Sequence, residues 1–253
     1  MKAIILAAGQ GARLRPLTDD RPKCMVEYQG RPLIAHVVHA LHENGVTEIV
    51  AVRGYEPEAL VCSGLRFVDN PRYLETNMVH SLFCAEAELS GDVIISYSDI
   101  VYAPSVIARL LSARGDFCVV VDKDWRRLWQ ERMPDPLADA ETLRLDAEGH
   151  ILSLGKKAQS YAEIEGQYIG LLKLSASAVE ALKALYRKLD RRILYDGKDF
   201  DNMYMTSLIQ AVIDRALPVT AVPIFGGWLE VDVPSDLRIR VDLGPGAARE
   251  RHA

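Results

Sequence analysis

Long apolar runs are missing from this chain of 253 residues; the run near the start, Ala3 to Ala8, spans six, far below the ~20 that a membrane-crossing helix needs. The same run is too short for the core of a secretory leader, so no membrane association is expected. Cysteine is scarce. Cys24, Cys62, Cys84 and Cys118 form no Cys-x-x-Cys pair, which argues against a zinc ribbon or a disulfide framework and fits free, mostly buried thiols in a reducing cytoplasm. Positive charge is not in excess either: 30 Lys+Arg against 35 Asp+Glu give a net charge of -5. No nucleic-acid footprint is therefore expected, and an anionic substrate must be held by local cations. Internal repeats, low-complexity stretches and long linkers are absent too. What remains, 49% hydrophobic and 26% charged, is the balance of a globular chain with a real core.

The apolar pattern predicts alternating elements. Ala3–Ala8 reads as a buried strand, a helix starts at Pro32 with Leu33, Val37, Ala40 and Leu41 on one face, and Asn44-Gly45 ends it. Strands are expected at 48–52, 65–68, 93–97 and 117–121. Between them lie a helix capped by Thr76 or Asn77 that reaches Leu89, and another over 104–113. This alternation implies a doubly wound, mainly parallel sheet. Further on, the pattern predicts a hairpin around Glu148-Gly149, a strand over 168–174, helices over 176–189 and 202–215, and short strands over 219–223 and 228–231.

The most informative stretch follows the first strand: Leu6-Ala7-Ala8-Gly9-Gln10-Gly11-Ala12-Arg13-Leu14-Arg15-Pro16-Leu17-Thr18, then Arg21-Pro22-Lys23. A loop leaving the carboxyl end of such a strand sits where α/β sheets bind ligands. Gly9 and Gly11 permit close approach of backbone amides to phosphate oxygens, and Arg13, Arg15, Arg21 and Lys23 concentrate positive charge against Asp19 and Asp20. A Walker loop is excluded because Ala12 follows Gly11, and a dinucleotide fingerprint because Leu14 replaces its third glycine. Two glycines alone do not distinguish a phosphate cradle from a plain turn with surface arginines. The whole string, however, resembles the GxGxRLxPLT…PK signature of the sugar-nucleotidyltransferase superfamily.

That resemblance implies a Rossmann-like three-layer α/β nucleotidyltransferase fold with a mixed, mainly parallel central sheet. The element pattern is read as one domain over 1–243, with a nucleotide-binding half of about 1–122 and an acceptor-binding half of about 123–243, and the composition after Leu243 as a flexible tail at 244–253. The resemblance implies that Leu6, Ala7, Ala8, Gly9 and Gly11 wrap the base and phosphates, that Arg13 touches the outer phosphates, and that Lys23 reaches the reacting ones. Two carboxylates complete the expected catalytic set. Asp99 ends a strand, and Asp232 lies in Trp228-Leu229-Glu230-Val231-Asp232-Val233-Pro234-Ser235-Asp236-Leu237. Each alone reads equally as a cap or turn residue. The superfamily pattern makes them the holders of Mg2+, a hard cation that takes one or two carboxylates plus phosphates and water. Glu230, two residues earlier, is a helper of less weight.

The segment Asn70-Pro71-Arg72-Tyr73-Leu74-Glu75-Thr76-Asn77-Met78-Val79-His80-Ser81-Leu82 departs from the hexose-phosphate branch and resembles the phosphocholine and aminoalkylphosphonate cytidylyltransferases. Asn77 and Ser81, four apart, share a helix face, and Gly54-Tyr55 is placed near the base by the same resemblance. CTP is therefore the expected nucleotide. The acceptor is expected to be a small phosphorylated molecule: phosphocholine-like, an aminoalkylphosphonate, or an amino-acid phosphate of cell-surface polysaccharide decoration. Its candidate ligands are Lys156, Glu165, Tyr168, Trp129 and Arg126, with Arg127 and Arg132 as further cations, Trp125 pairing with Trp129, and Lys157 and Glu163 beside the first two. A homo-oligomer is compatible with the sequence. His36, His39 and His42 are expected on a solvated helix face. Two rivals stay open: a hexose-1-phosphate nucleotidyltransferase using UTP, dTTP or GTP, and a non-catalytic nucleotide-sensing or scaffold subunit. A metal-dependent glycosyltransferase is weaker, because Tyr97 stands where an Asp-x-Asp would need acid.

Overall fold

A computed structural model describes residues 1–244 of the protein. In chain order its strands and helices are β1 Lys2–Ala7, β2 Glu27–Tyr28, β3 Arg31–Pro32, α1 Leu33–His42, β4 Glu48–Arg53, β5 Leu65–Asp69, α2 Met78–Cys84, β6 Val93–Tyr97, β7 Ile100–Tyr102 and α3 Pro104–Ser112. There follow β8 Phe117–Asp122, α4 Trp125–Arg132, β9 Glu141–Leu145, β10 Ile151–Lys157, β11 Gln167–Leu174, α5 Ala176–Lys188, α6 Met205–Ile213, β12 Thr220–Ile224 and β13 Trp228–Glu230. Among the described residues no helix is long and apolar enough to cross a membrane.

Seven strands form the central sheet in the order β12-β8-β11-β6-β1-β4-β5. β11 alone runs against its neighbours β6 and β8; the other adjacent pairs are parallel. The sheet is thus mixed and mainly parallel, and it draws strands from both halves of the chain. Helices cover both faces, so the middle strands are apolar without alternation. On β1, Ala3, Ile5 and Ala7 join the core beneath α1, α3 and α4, while Ile4 and Leu6 join the opposite core beneath α2, α5 and α6.

Local chemistry sets the element ends. Pro32 precedes the first turn of α1, and beyond its end the Asn44 side-chain amide donates to the carbonyls of Ala40 and Pro104 at 2.8 and 2.9 Å. Asn77 caps α2, its side chain accepting from the Met78 amide at 2.8 Å. Ser175 caps α5 by accepting from Ala178.

Several expectations shift. The helix expected to reach Leu89 ends at Cys84 and continues as a separate 3₁₀ turn at Glu86–Glu88. The helix expected from Asn202 begins at Met205, because Asn202 is engaged with Asp199. Among the described residues beyond Pro234 the one helical turn is the 3₁₀ turn Asp236–Arg238. His36 is buried at 3% exposure, with Nε2 at 2.8 Å from the Tyr28 carbonyl, so the three histidines do not share a solvated face. The expected tail lies outside the described residues apart from Gly244.

Candidate active site

The loop after β1 is anchored by its apolar and small residues, which set Arg13 and Lys23 toward the cleft. Leu14 and Thr18 are fully buried, and the Thr18 hydroxyl donates to the Gly11 carbonyl at 3.0 Å. Gly11 has φ +72, and a Cβ there would stand 2.8 Å from the Lys23 Cβ, so only glycine lets the loop fold over Lys23. Of the four cations, only Arg13 and Lys23 line the cleft. Arg15 turns to Asp19 at 3.5 Å and Arg21 to Asp20 at 2.8 Å, both at the surface. The local anion site is therefore two cations strong, not four.

Asp99 and Asp232 meet although 133 positions separate them. The small antiparallel pair β7–β13 sets Ile100 opposite Glu230, and the Val231 amide donates to the Asp99 carbonyl at 2.9 Å. Asp99 immediately precedes one strand and Asp232 closely follows the other, so both carboxylates emerge at the same end. Buried Asp236 fixes the second of them, accepting from the Asp232 and Val233 amides at 2.7 and 2.9 Å. Lys23 Nζ then bridges the two acids, 2.8 Å from Asp99 Oδ2 and 2.8 Å from Asp232 Oδ1. Arg13 pairs with the other oxygen of Asp232. Burial alone would push the Lys23 ammonium down, but the charges of Asp99, Asp232 and Glu230 outweigh it and hold its pKa above the ordinary value. Asp99 Oδ1 is buried without a hydrogen-bond partner.

These groups stand in a cavity of about 330 Å³ that is also lined by Leu6, Ala8, Gly9, Gly11, Tyr73, Asn77, Ser81 and Tyr97. Ala7, Gly54 and Tyr55 stand behind this wall. The Tyr55 amide donates to the Ala8 carbonyl at 3.1 Å, and a Cβ on Gly54 would lie 2.7 Å from that same oxygen. The Ser81 hydroxyl accepts from the Asn70 side-chain amide at 3.0 Å. A second cavity, of about 200 Å³, shares Arg13, Met78, Tyr97 and Asp232 with the first and runs on toward β11. Trp129 and Tyr168 line it, together with Glu141, Gln167 and Thr206, which sequence reading passed over. The only sign of Glu141 in the sequence is an acid two residues after Asp139, at the start of a short strand.

Three expected acceptor ligands are not brought to either cavity. Lys156 is exposed and forms an ion pair with Asp196. Glu165, in the loop before β11, turns to the end of β9, accepting from the Leu145 amide at 2.6 Å. Arg126 stacks on the Tyr161 ring at 3.9 Å. Of their neighbours, Arg132 sits behind the cavities, 3.0 Å from Glu230 and 3.4 Å from Asp236, and Arg127 pairs at the surface with Asp124 and Glu131. Trp125 and Trp129 pack edge to face at 5.9 Å, as core residues do.

Residues 3–199 match the model of the MobA-like NTP transferase domain. A CTP:phosphoglutamine cytidylyltransferase of Campylobacter jejuni is 47% identical over 253 residues, which cover 96% of the chain and 100% of the relative. A CMP-5'-(3-aminopropyl)phosphonate synthase of Streptomyces rubellomurinus is 31% identical over 252 residues, 94% of the chain and 38% of that protein. The fold matches the solved structure of a CTP:phosphocholine cytidylyltransferase of Streptococcus pneumoniae with a TM-score of 0.69 at 23% identity, over 94% of the chain and 96% of that structure. The glycine loop folded over Lys23, the paired carboxylates and this similarity across nearly the whole chain have one reading: the protein belongs to the MobA-like NTP transferase family and is a nucleotidyltransferase.

Proposed function

We propose that the protein transfers CMP from CTP to the phosphate of a small phosphorylated acceptor, forming a CDP-linked product and releasing pyrophosphate. The acceptor that the reading favours is a phosphorylated amino acid or amino-acid amide, the class to which the phosphoglutamine of the 47% identical relative belongs. The observation that carries the reading is Lys23 Nζ at 2.8 Å from both Asp99 and Asp232, on the floor of a glycine-walled cavity that opens into a second one. The first cavity takes the nucleotide and the second the acceptor, within one domain over residues 1–243.

The chemistry needs no protein base. A terminal phosphoryl group, as in a phosphate monoester with its second pKa near ~6, is already largely a dianion at neutral pH. Its oxygen attacks the α-phosphorus, the bond from that phosphorus to the bridging oxygen breaks, and pyrophosphate leaves with the electron pair. The protein aligns the two anions and offsets their repulsion. In this reading Lys23 stabilises charge growing at the α-phosphate, Arg13 contacts the outer phosphates, and backbone amides of the Gly9–Gly11 loop receive phosphate oxygens. Asn77 and Ser81 face the same cavity and contact the nucleoside. Trp129 and Tyr168 wall the acceptor. Asp99 and Asp232 suit Mg2+: two carboxylates, one with a buried oxygen lacking a partner, leave most of the coordination sphere to phosphates and water. The ion would supply positive charge at the triphosphate.

Pyrophosphate release is measured with CTP, UTP, GTP and ATP, each with phosphorylated glutamine, phosphocholine, 2-aminoethylphosphonate and glucose 1-phosphate, and the product is identified by phosphorus NMR. CTP with phosphorylated glutamine is expected to turn over fastest, chelation by EDTA to stop it, and Mg2+ to restore it. Turnover confined to glucose 1-phosphate with another nucleotide, or no pyrophosphate in any pairing, overturns the reading.

A further inference from the structure

We propose that the Glu141 carboxylate selects acceptors that carry an ammonium group at the end remote from the phosphate. The inference rests on the second cavity being the acceptor site, and it adds the group that reads the acceptor's charge.

The second cavity is acidic: Asp139, Glu141, Glu230 and Asp232 line it, against the single cation Arg13. Three of those acids have partners within the chain. Asp232 takes Lys23 and Arg13. Glu230 stands 3.0 Å from Arg132. Asp139 accepts from the Trp129 indole at 3.0 Å. Glu141 differs. None of the described residues donates a hydrogen bond or forms an ion pair to its carboxylate, and Lys157, opposite it in the β9–β10 register, makes no ion pair with it.

Its backbone, in contrast, is clamped. The buried Gln167 side chain accepts from the Glu141 amide at 3.0 Å and donates to the Glu141 carbonyl. An amide side chain spent in this way holds one residue at a fixed place on the cavity wall. The residue so held has an exposed side chain that lines the open cavity. Partial desolvation by the surrounding cavity wall, together with the charge of Asp139, raises the Glu141 carboxyl above its ordinary value, although its side chain stays open to solvent. A cation arriving beside it would restore its ionised form and gain a charge-assisted hydrogen bond.

The polarity of the joined cavities gives the direction. Lys23 and Arg13 mark the end that suits the acceptor's phosphate, and Glu141 lies in the cavity that continues past Arg13. A ligand spanning them is anionic at one end and cationic at the other. A hexose phosphate, neutral beyond its phosphate, would bring Glu141 no opposite charge to pair with.

The test compares phosphorylated glutamine with its analogue lacking the α-amino group, on the wild type and on Glu141→Gln. For the wild type, kcat/KM is expected to favour the amine-bearing compound by about tenfold to a hundredfold, the scale of one charge-assisted hydrogen bond. Glu141→Gln is expected to erase that ratio through acceptor KM, with kcat and the KM for CTP within about twofold, which a folding defect would not leave. Binding of both compounds is also measured by calorimetry without CTP, so the preference is read even if no CMP moves. A wild type that binds both equally, or a Glu141→Gln variant that keeps the preference, overturns the assignment. Failure of the wild type to transfer CMP while the binding preference holds and depends on Glu141 counts against the proposed reaction and supports the role of Glu141.

Discussion

Lys23 satisfies two carboxylates at once, and this makes its removal different from the loss of a single contact. With Lys23→Ala, Asp99 and Asp232 keep their shared end of the β7–β13 pair but lose the cation between them. The expected outcome is a fall in kcat of at least about a hundredfold, the scale of losing one electrostatic stabiliser. A loss of roughly 3 kcal/mol of stability should accompany it, because a largely buried charge pair is broken from one side. Asp99→Ala should cost as much in kcat but less in stability, since Lys23 retains Asp232. Pyrophosphate release and thermal unfolding measure the two effects separately; near-normal turnover in either variant removes that residue from the site. At this scale the sequence was legible where the motif is continuous. Gly9, Gly11, Arg13 and Lys23 are placed by their own loop, and all four line the cleft. It was misleading where a side chain's direction depends on a distant partner. Lys156 is drawn off by Asp196, forty positions away, and nothing near Glu141 in the sequence announces that Gln167 clamps it.

Between elements, charge does the fastening at one edge of the sheet. Lys2 of β1, Glu48 of β4, Arg66 of β5 and Glu88 of the turn after α2 form one network, with Lys2–Glu88 at 2.7 Å and Arg66–Glu88 at 2.7 Å. Hydrogen bonds from Arg66 and Lys2 hold the Glu88 carboxyl at about 2, below its ordinary 4.5. A depressed carboxyl pKa stabilises the fold fully above about pH 4.5 and loses that contribution as pH falls toward 2. Glu88→Gln should therefore lower stability at pH 7 by about 1 kcal/mol, a modest figure because solvent screens the network. Melting curves of variant and wild type should converge as pH falls from 4.5 to 2; a constant gap over that range would show that Glu88 acts through packing and not through charge. The strands were legible because helices on both faces make them apolar throughout. Helix ends were less so. Periodicity carried α2 to Leu89, yet the last apolar positions pack from a 3₁₀ turn, which keeps Leu89 buried without continuing the helix.

Across the whole molecule, the site exists only if the β7–β13 ribbon is held against the sheet that carries the glycine loop. Asp122, at the end of β8, is the buried link. Its carboxylate accepts from the Trp228 indole at 2.8 Å, from the Gly226 amide at 3.0 Å and from the Asp124 amide at 2.9 Å. Two of these donors belong to the segment that enters β13 and leads to Asp232. The halves of the site are thus joined by a fully buried carboxylate remote from the chemistry, a connection no sequence spacing reveals. Asp122→Ala should leave three donors without an acceptor and cost roughly 3–5 kcal/mol. At a temperature where the variant remains folded it should also lower kcat, because Asp232 loses its fixed distance to Lys23. Trp228→Phe removes one donor, keeps the carboxylate and shrinks a fully buried ring, so its stability loss should be roughly 2–3 kcal/mol, below that of Asp122→Ala. Unfolding by urea and initial rates at matched fraction folded separate the two consequences. A destabilised Asp122→Ala with unchanged kcat would mean that the backbone pairing of β13 with β7 holds Asp232 in place unaided.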